Sequence, residues 1–140
     1  MQTATNDFED ALTAQRRALA IRQALLAAAP DDISLQREVV ISLSSLALTL
    51  NSLGQKTSAE EQFRAAFSMA KKYATADPHN PIYQMDLVNG LYQLAYFFDD
   101  ASAVPRARAI VERLESEGKL TSAWKSYVEG LERQLASKPI

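Results

Sequence analysis

An all-α, antiparallel helix-hairpin solenoid of about six helices is the fold class this sequence predicts, and three observations predict it. Apolar residues recur every three or four positions along most of the chain, and no useful length alternates with a period of two. Helix breakers are few, with 4 Gly and 5 Pro in 140 residues, and they fall between stretches of helical length. The chain also matches itself when displaced by 48 residues.

The first predicted helix covers about residues 7–28, with Ala11, Ala14, Ala18, Ile21 and Leu25 as one apolar stripe and Arg16, Arg17 and Arg22 on its other face. Pro30 closes it, and Asp31 or Asp32 can cap a second helix over about 32–53. That helix carries Val39, Val40, Leu43, Leu46, Ala47, Leu50 and Leu53 inward and ends at Gly54, which suits a left-handed turn. Thr57 and Glu60 have capping-box spacing for a third helix over about 58–76, with Ala59, Phe63, Ala66, Phe67, Ala70 and Tyr73 inward. Asn80 is a natural N-cap and Pro81 a natural first residue for a fourth, over about 81–98. A fifth follows Ser102 or Ala103 over about 104–117, burying Ala107, Ile110, Val111 and Leu114 and closing near Gly118. Thr121 caps a sixth, over about 121–136.

Composition narrows the function classes. At this length one domain over residues 1–140 is expected. A formal charge of −2 provides no basic field for a phosphate backbone, so nucleic acid is not an expected partner. The chain has no Cys, which removes disulfides, thiol nucleophiles and Cys-based metal sites. Residues 1–10 lack the basic flank and apolar core of a signal peptide, leaving the cytoplasm as the default compartment. The most apolar stretch, Val39 to Leu50, is broken by Ser42, Ser44, Ser45 and Thr49 and falls short of the roughly 20 residues a membrane span needs. No membrane helix is expected from it.

The 48-residue displacement pairs Ala11 with Ala59, Arg16 with Arg64, Ala18 with Ala66, Ala28 with Ala76 and Pro30 with Pro78. In the helix that follows, it pairs Gln36 with Gln84, Val40 with Val88, Leu43 with Leu91, Leu46 with Leu94 and Ala47 with Ala95. Two successive helices and their connection therefore recur together. Small residues such as Ala47, Ala59, Ala66 and Ala95 allow close helix approach, while Leu and Phe fill the flanking gaps.

The run Leu43, Leu46, Ala47, Leu50, Gly54, Ala59, Phe63, Ala66 resembles the tetratricopeptide repeat signature. Leu91, Leu94, Ala95, Phe98 and Ala107 resemble it again in a degenerate copy, and Trp124, Tyr127, Val128 and Leu131 repeat its first-helix spacing. The interval exceeds the family's usual 34 or so residues, so longer-helix forms such as those in kinesin light chain are the nearer comparison. In this register the chain opens on a second helix and closes on a first, which is expected of either terminal capping helices or a segment of a longer array.

The resemblance implies a non-enzymatic scaffold that binds a peptide or helix of a partner protein in a concave groove lined by first helices. Ile41, Ser44, Ser45 and Leu48, then Asn89, Tyr92, Gln93 and Tyr96, and finally Lys125 stand at the groove positions. Two readings of Tyr92 and Tyr96 are open, as groove-facing rings or as rings packed under the sixth helix. The alternative function is a structural segment whose Ile41, Leu48, Tyr92 and Tyr96 join two copies as a homodimer. The family's carboxylate clamp is not reproduced, since Ser44, Leu48 and Gln93 stand where cations and amides are expected and Lys125 has no second cation beside it.

Nothing in the sequence points to catalysis, a cofactor or a metal. His79 is the lone histidine, in a Pro-flanked turn with no carboxylate cluster around it. Asp99, Asp100, Glu112, Glu115 and Glu117 lie at helix ends or on a polar face without a base at catalytic spacing. No glycine-rich phosphate loop or nucleophile elbow is present.

Overall fold

The computed structural model describes residues 4–138 and contains six helices in chain order. They are α1 (Ala4–Ala28), α2 (Ile33–Ser52), α3 (Lys56–Ala76), α4 (Pro81–Phe98), α5 (Ala103–Ser116) and α6 (Ser122–Ala136). No strand occurs among the described residues. The fold class is all-α and of the helix-hairpin repeat type. The chain forms two compact units, Met1–Tyr73 and Ala74–Ile140.

Side-chain caps set where the helices begin. Asp32 accepts from the Leu35 amide at 3.2 Å, Asn80 from the Ile82 and Tyr83 amides at 3.0 and 3.4 Å, and Thr121 from the Trp124 amide at 3.1 Å. Each satisfies amide hydrogens that the first turn cannot pair within the helix. The third helix departs from expectation. It starts two residues early, at Lys56, with the Ala59 amide already bonded to the Gln55 carbonyl, so Thr57 lies inside the helix and forms no cap. Glu60 pairs instead with Arg64 one turn on, at 2.8 Å.

Two helix ends use glycine for its backbone alone. Gly54 has φ +79° and Gly118 φ +69°, and the amides of Gln55 and Lys119 return to the carbonyls of Leu50 and Leu114 at 2.9 Å. That is the hydrogen-bond pattern of a helix closed by a left-handed residue, which any side chain would strain. α4 ends without glycine: Asp99 takes φ 53°, a conformation Asp tolerates better than most residues.

The repeat extends into the connections. Asp32 and Asn80 are 48 residues apart, and their amides bond to Ala29 and Asp77 carbonyls, also 48 apart, at 3.0 and 3.1 Å. The paired glutamines share a task as well, each donating from Nε2 to a carbonyl before its own helix. Gln36 reaches Pro30 at 2.8 Å, and Gln84 reaches Ala74 at 3.1 Å. Gln84 is buried, and its Oε1 accepts from Arg113 Nη2 of α5 at 2.6 Å.

In the first unit α2 packs against α1 and buries Val39, Leu43, Leu46, Ala47 and Leu50. Measured over Ile33–Ser52 instead of Val39–Leu50, α2 is long and apolar enough to cross a membrane, with mean hydropathy 1.3; here it serves as the core helix of this unit. α3 buries Ala59, Phe63, Ala66, Ala70 and Tyr73, leaving Phe67 half-buried. In the second unit α4 packs against α5 and α6. Its row of Val88, Leu91, Leu94 and Ala95 is buried, along with Ala103, Ala107 and Leu114 of α5 and Val128 of α6.

The apolar stripe expected on α1 turns largely outward, with Ala11 and Ala18 half-buried and Ala14 exposed. Leu12 and Leu19 are buried with Gln15, Arg22 and Leu26 half-buried beside them, whereas Ile21 is 63% and Leu25 51% exposed. The stripe at Ala11, Ala14 and Ala18 has little area to bury, while a row through Leu12, Leu19 and Leu26 removes three leucines at least partly from water. Arg22 moves inward with this rotation, and its Nη1 donates to the hydroxyl of buried Ser42 on α2.

Two stability tests follow from these details. Asn80→Ala leaves two first-turn amides without their cap and is expected to cost about 1 kcal/mol in urea unfolding. Gln15 Oε1 is buried without a hydrogen-bond partner, so Gln15→Leu is expected to raise the melting temperature; an unchanged or lower value removes this explanation.

Candidate functional site

The nine groove positions divide between the two units. On α2, Ile41 is 58% and Leu48 39% exposed, seven residues and about two helical turns apart. Ser44 and Ser45 lie half-buried between them. The opposite side of α2 carries the buried row that starts at Val39 and Leu43, so Ile41 and Leu48 are apolar area left in solvent by a helix already packed on its other face.

On α4 the corresponding face is covered by α6. Tyr92 is 2% exposed and donates from its hydroxyl to Glu132 Oε1 at 3.0 Å. Arg108 of α5 lies 3.7 Å from the same carboxylate oxygen, so one acid links three helices. Burial, reinforced by hydrogen bonding to Glu132 and its negative charge, pushes the Tyr92 phenol up to about 12, with Arg108 opposing. Burial also raises the Tyr127 phenol, whose hydroxyl donates to Asn89 Oδ1 at 2.5 Å. Gln93 and half-buried Tyr96 line a pocket of about 40 Å³ with Tyr92, Phe97, Leu131 and Gln134, too small for a peptide. Tyr92 is therefore a packing residue that fastens α6 and is not an exposed groove ring.

The end of α4 is held from beyond α6. Lys138 Nζ is 2.8 Å from Asp99 Oδ1, donates to the Tyr96 carbonyl and sits 5.3 Å from the centroid of the Tyr96 ring. A cation there neutralises the negative end of the helix dipole and occupies a carbonyl with no helical partner. Lys125 is exposed, with Nζ 3.7 Å from Glu115 Oε1. Glu132, Arg108 and Lys138 were not singled out from the sequence. Glu132 lies 40 residues from Tyr92, and no local spacing marks such a partner.

Among the described residues no group of three His, Asp or Glu side chains is arranged to hold a metal. His79 contributes its backbone carbonyl, which accepts from Lys119 Nζ at 2.9 Å. Asp100 accepts from the amide and hydroxyl of Ser102 at 3.1 and 2.6 Å, which orders the turn into α5.

Removing the Tyr92 hydroxyl tests the α4 to α6 link. The raised pKa means that the folded state holds this proton more tightly than the unfolded chain, whose phenol titrates near 10. Its contribution is therefore fully present below pH 10 and is lost as pH rises towards 12. Tyr92→Phe is expected to cost about 1 kcal/mol at neutral pH and to flatten the fall in stability between those pH values, read by urea unfolding at several pH values.

With this geometry in place, the tetratricopeptide repeat family model matches residues 3–32 and 39–74. These stretches cover α1 and most of α2 and α3. No curated protein and no solved structure matches the chain.

Proposed function

Because this chain belongs to the tetratricopeptide repeat family, we propose that it is a non-enzymatic scaffold that holds a peptide or helix of a partner protein against the outward face of α2. Repeats of this family generally mediate protein–protein interaction, which sets the function class. The observation that carries the finer reading is the exposed Ile41 and Leu48 pair with Ser44 and Ser45 between. Two apolar side chains at this spacing offer anchors to a partner's apolar residues, and the small hydroxyls let its backbone come close.

The second unit contributes differently. Because α6 occupies the face of α4 that holds Tyr92, the partner surface favoured here is confined to Ile41, Ser44, Ser45 and Leu48. This also removes Tyr92 from any self-contact, so a homodimer through the groove positions would have to rely on Ile41, Leu48 and half-buried Tyr96.

Peptides selected from a display library against the folded chain are expected to lose at least about tenfold in affinity for an Ile41→Glu, Leu48→Glu variant with unchanged helical circular dichroism. Equal binding to both proteins would assign the partner surface elsewhere. Sedimentation at two concentrations separates the dimer reading: a tight dimer that the same variant dissociates would make this face a self-contact.

A further inference from the structure

α1 and α6 each carry an apolar row that stays open although its repeat counterparts are buried. On α1 the row is Ala11, Ala14, Ala18, Ile21 and Leu25, beside the buried Leu12 and Leu19. A displacement of 48 residues carries Ala11, Ala18 and Leu25 onto Ala59, Ala66 and Tyr73 of α3, all buried. A second displacement carries Ala11 and Ala18 onto Ala107 and Leu114 of α5, buried as well, and α5 packs against α4, the first helix of its own hairpin. On α1 the alanines are at most half-buried, and Ile21 and Leu25 stand in solvent. α1 is thus a second helix whose first-helix side is open.

α6 has the complementary opening. A displacement of 33 residues carries Leu91, Leu94 and Ala95 of α4 onto Trp124, Tyr127 and Val128. All three α4 residues are buried, whereas on α6 Val128 alone is buried, Trp124 is half-buried and Tyr127 is 47% exposed. The difference matches the neighbours: α4 has α5 packed against it, while the contact of α6 with α4 runs through its Glu132 side and the tip of Tyr127. Ala123 and Gly130 stand one turn before and after Tyr127 and extend the open row. Gly130 is informative because glycine is among the poorest helix formers, and its own chain does not require it: a Cβ there would meet only Arg133 Nη2, at 3.8 Å. Glycine in that setting suits the close approach of a further helix.

Each row is the counterpart that the other lacks. α6 is a first helix with an open second-helix side, and α1 is a second helix with an open first-helix side. The α1 row from Ala11 to Leu25 rises about 21 Å, the length of the 15-residue α6. In the antiparallel sense of the hairpins within the chain, Trp124 near the start of α6 meets Ile21 and Leu25 near the end of α1. Gly130 then lies over the small side chains of Ala14 and Ala18, where two helix axes can come close. Both rows continue interfaces that already exist, α1 with α2 and α6 with α4.

We propose that α6 of one copy of this chain packs on α1 of another, completing between two molecules the hairpin that α4 and α5 form within one. The two surfaces are different, so every pairing leaves one open row of each kind and further copies can add. The contact rests on the repeat register and does not involve the Ile41 and Leu48 face.

Sedimentation velocity of the full chain from about 5 µM to about 1 mM, a range suited to a modest interface, is expected to give a weight-average mass that rises past that of two chains. Emission from Trp124 is expected to shift to the blue over the same range as its half-exposed ring leaves water. Ile21→Glu with Leu25→Glu closes the α1 row at two exposed positions, and Gly130→Leu closes the α6 row by entering open space, so both proteins keep the helical circular dichroism of the parent. Each variant alone is expected to stay monomeric. Their equimolar mixture is expected to form a dimer and nothing larger, because each partner retains one intact row. Ile41→Glu with Leu48→Glu is expected to leave the association unchanged. A parent chain that stays monomeric over the whole range would overturn the proposal and leave the two rows to another polypeptide. So would a dimer that does not grow, association that persists in either variant alone, a mixture that stays monomeric, or association lost on changing Ile41 and Leu48.

Discussion

Burial of one row on α2, and of its repeat on α4, is the constraint from which the rest of each unit follows. Leu43, Leu46 and Ala47 on α2, and Leu91, Leu94 and Ala95 on α4, are all removed from water, and each helix has neighbours from its own unit packed against it. Each fully buried leucine contributes on the order of 2 kcal/mol, so these rows outweigh any single cap or ion pair. The alanines serve a different purpose. Ala47 is 0% exposed and adds little apolar area, but a larger side chain there has no space to occupy without moving a neighbouring helix. The connections obey the same constraint. Asp32 and Asn80 start the two core helices at equivalent places, and Gln36 and Gln84 tie the first turns back to the preceding chain, so the rows enter the core in the same phase.

What covers the outer side of each row then separates the two units. On α4, α6 supplies Glu132 to Tyr92 and Tyr127 to Asn89, and Lys138 follows at the helix end. Most of these groups are long polar side chains, and they hold a helix that buries only Val128 fully. α6 is therefore fastened by hydrogen bonds more than by apolar area, and each such bond is worth about 1 kcal/mol net. On α2 the outward face keeps Ile41 and Leu48 in solvent, where they add little to the stability of the fold.

Much of the fold was legible because its signals are local. Asp32, Asn80 and Thr121 act within three residues of themselves, Gly54 and Gly118 answer to their own φ, and the buried rows of α2, α3 and α4 follow helical spacing. The misreadings have a common origin in choices that local pattern leaves degenerate. α1 has two candidate apolar rows, and the alanine-rich one loses because its neighbour presents leucines to α2. Thr57 has capping-box spacing, yet Gln55 already supplies the first helical carbonyl, and Glu60 has Arg64 as a nearer partner. The groove residues divide for the same reason. Ile41 and Leu48 lie opposite the row that the sequence identifies, so their exposure could be anticipated, whereas the fate of Tyr92 depends on Glu132, 40 residues away.

The charge distribution of the first unit adds a constraint that helix periodicity does not contain. The acids of α1 gather near its start, at Asp7, Glu9 and Asp10, where Asp7 in the first turn complements the positive end of the helix dipole. Beyond them the helix carries only cations, and its 48-residue counterpart from Gln62 to Lys72 does the same. Acids return at Asp31, Asp32, Glu38, Glu60 and Glu61, so the three helices of this unit carry both signs. The two faces of α2 differ in kind: Ile41 and Leu48 stand in solvent beside half-buried Ser44 and Ser45, while Val39 and Leu43 are buried against the helices that pack on the other side.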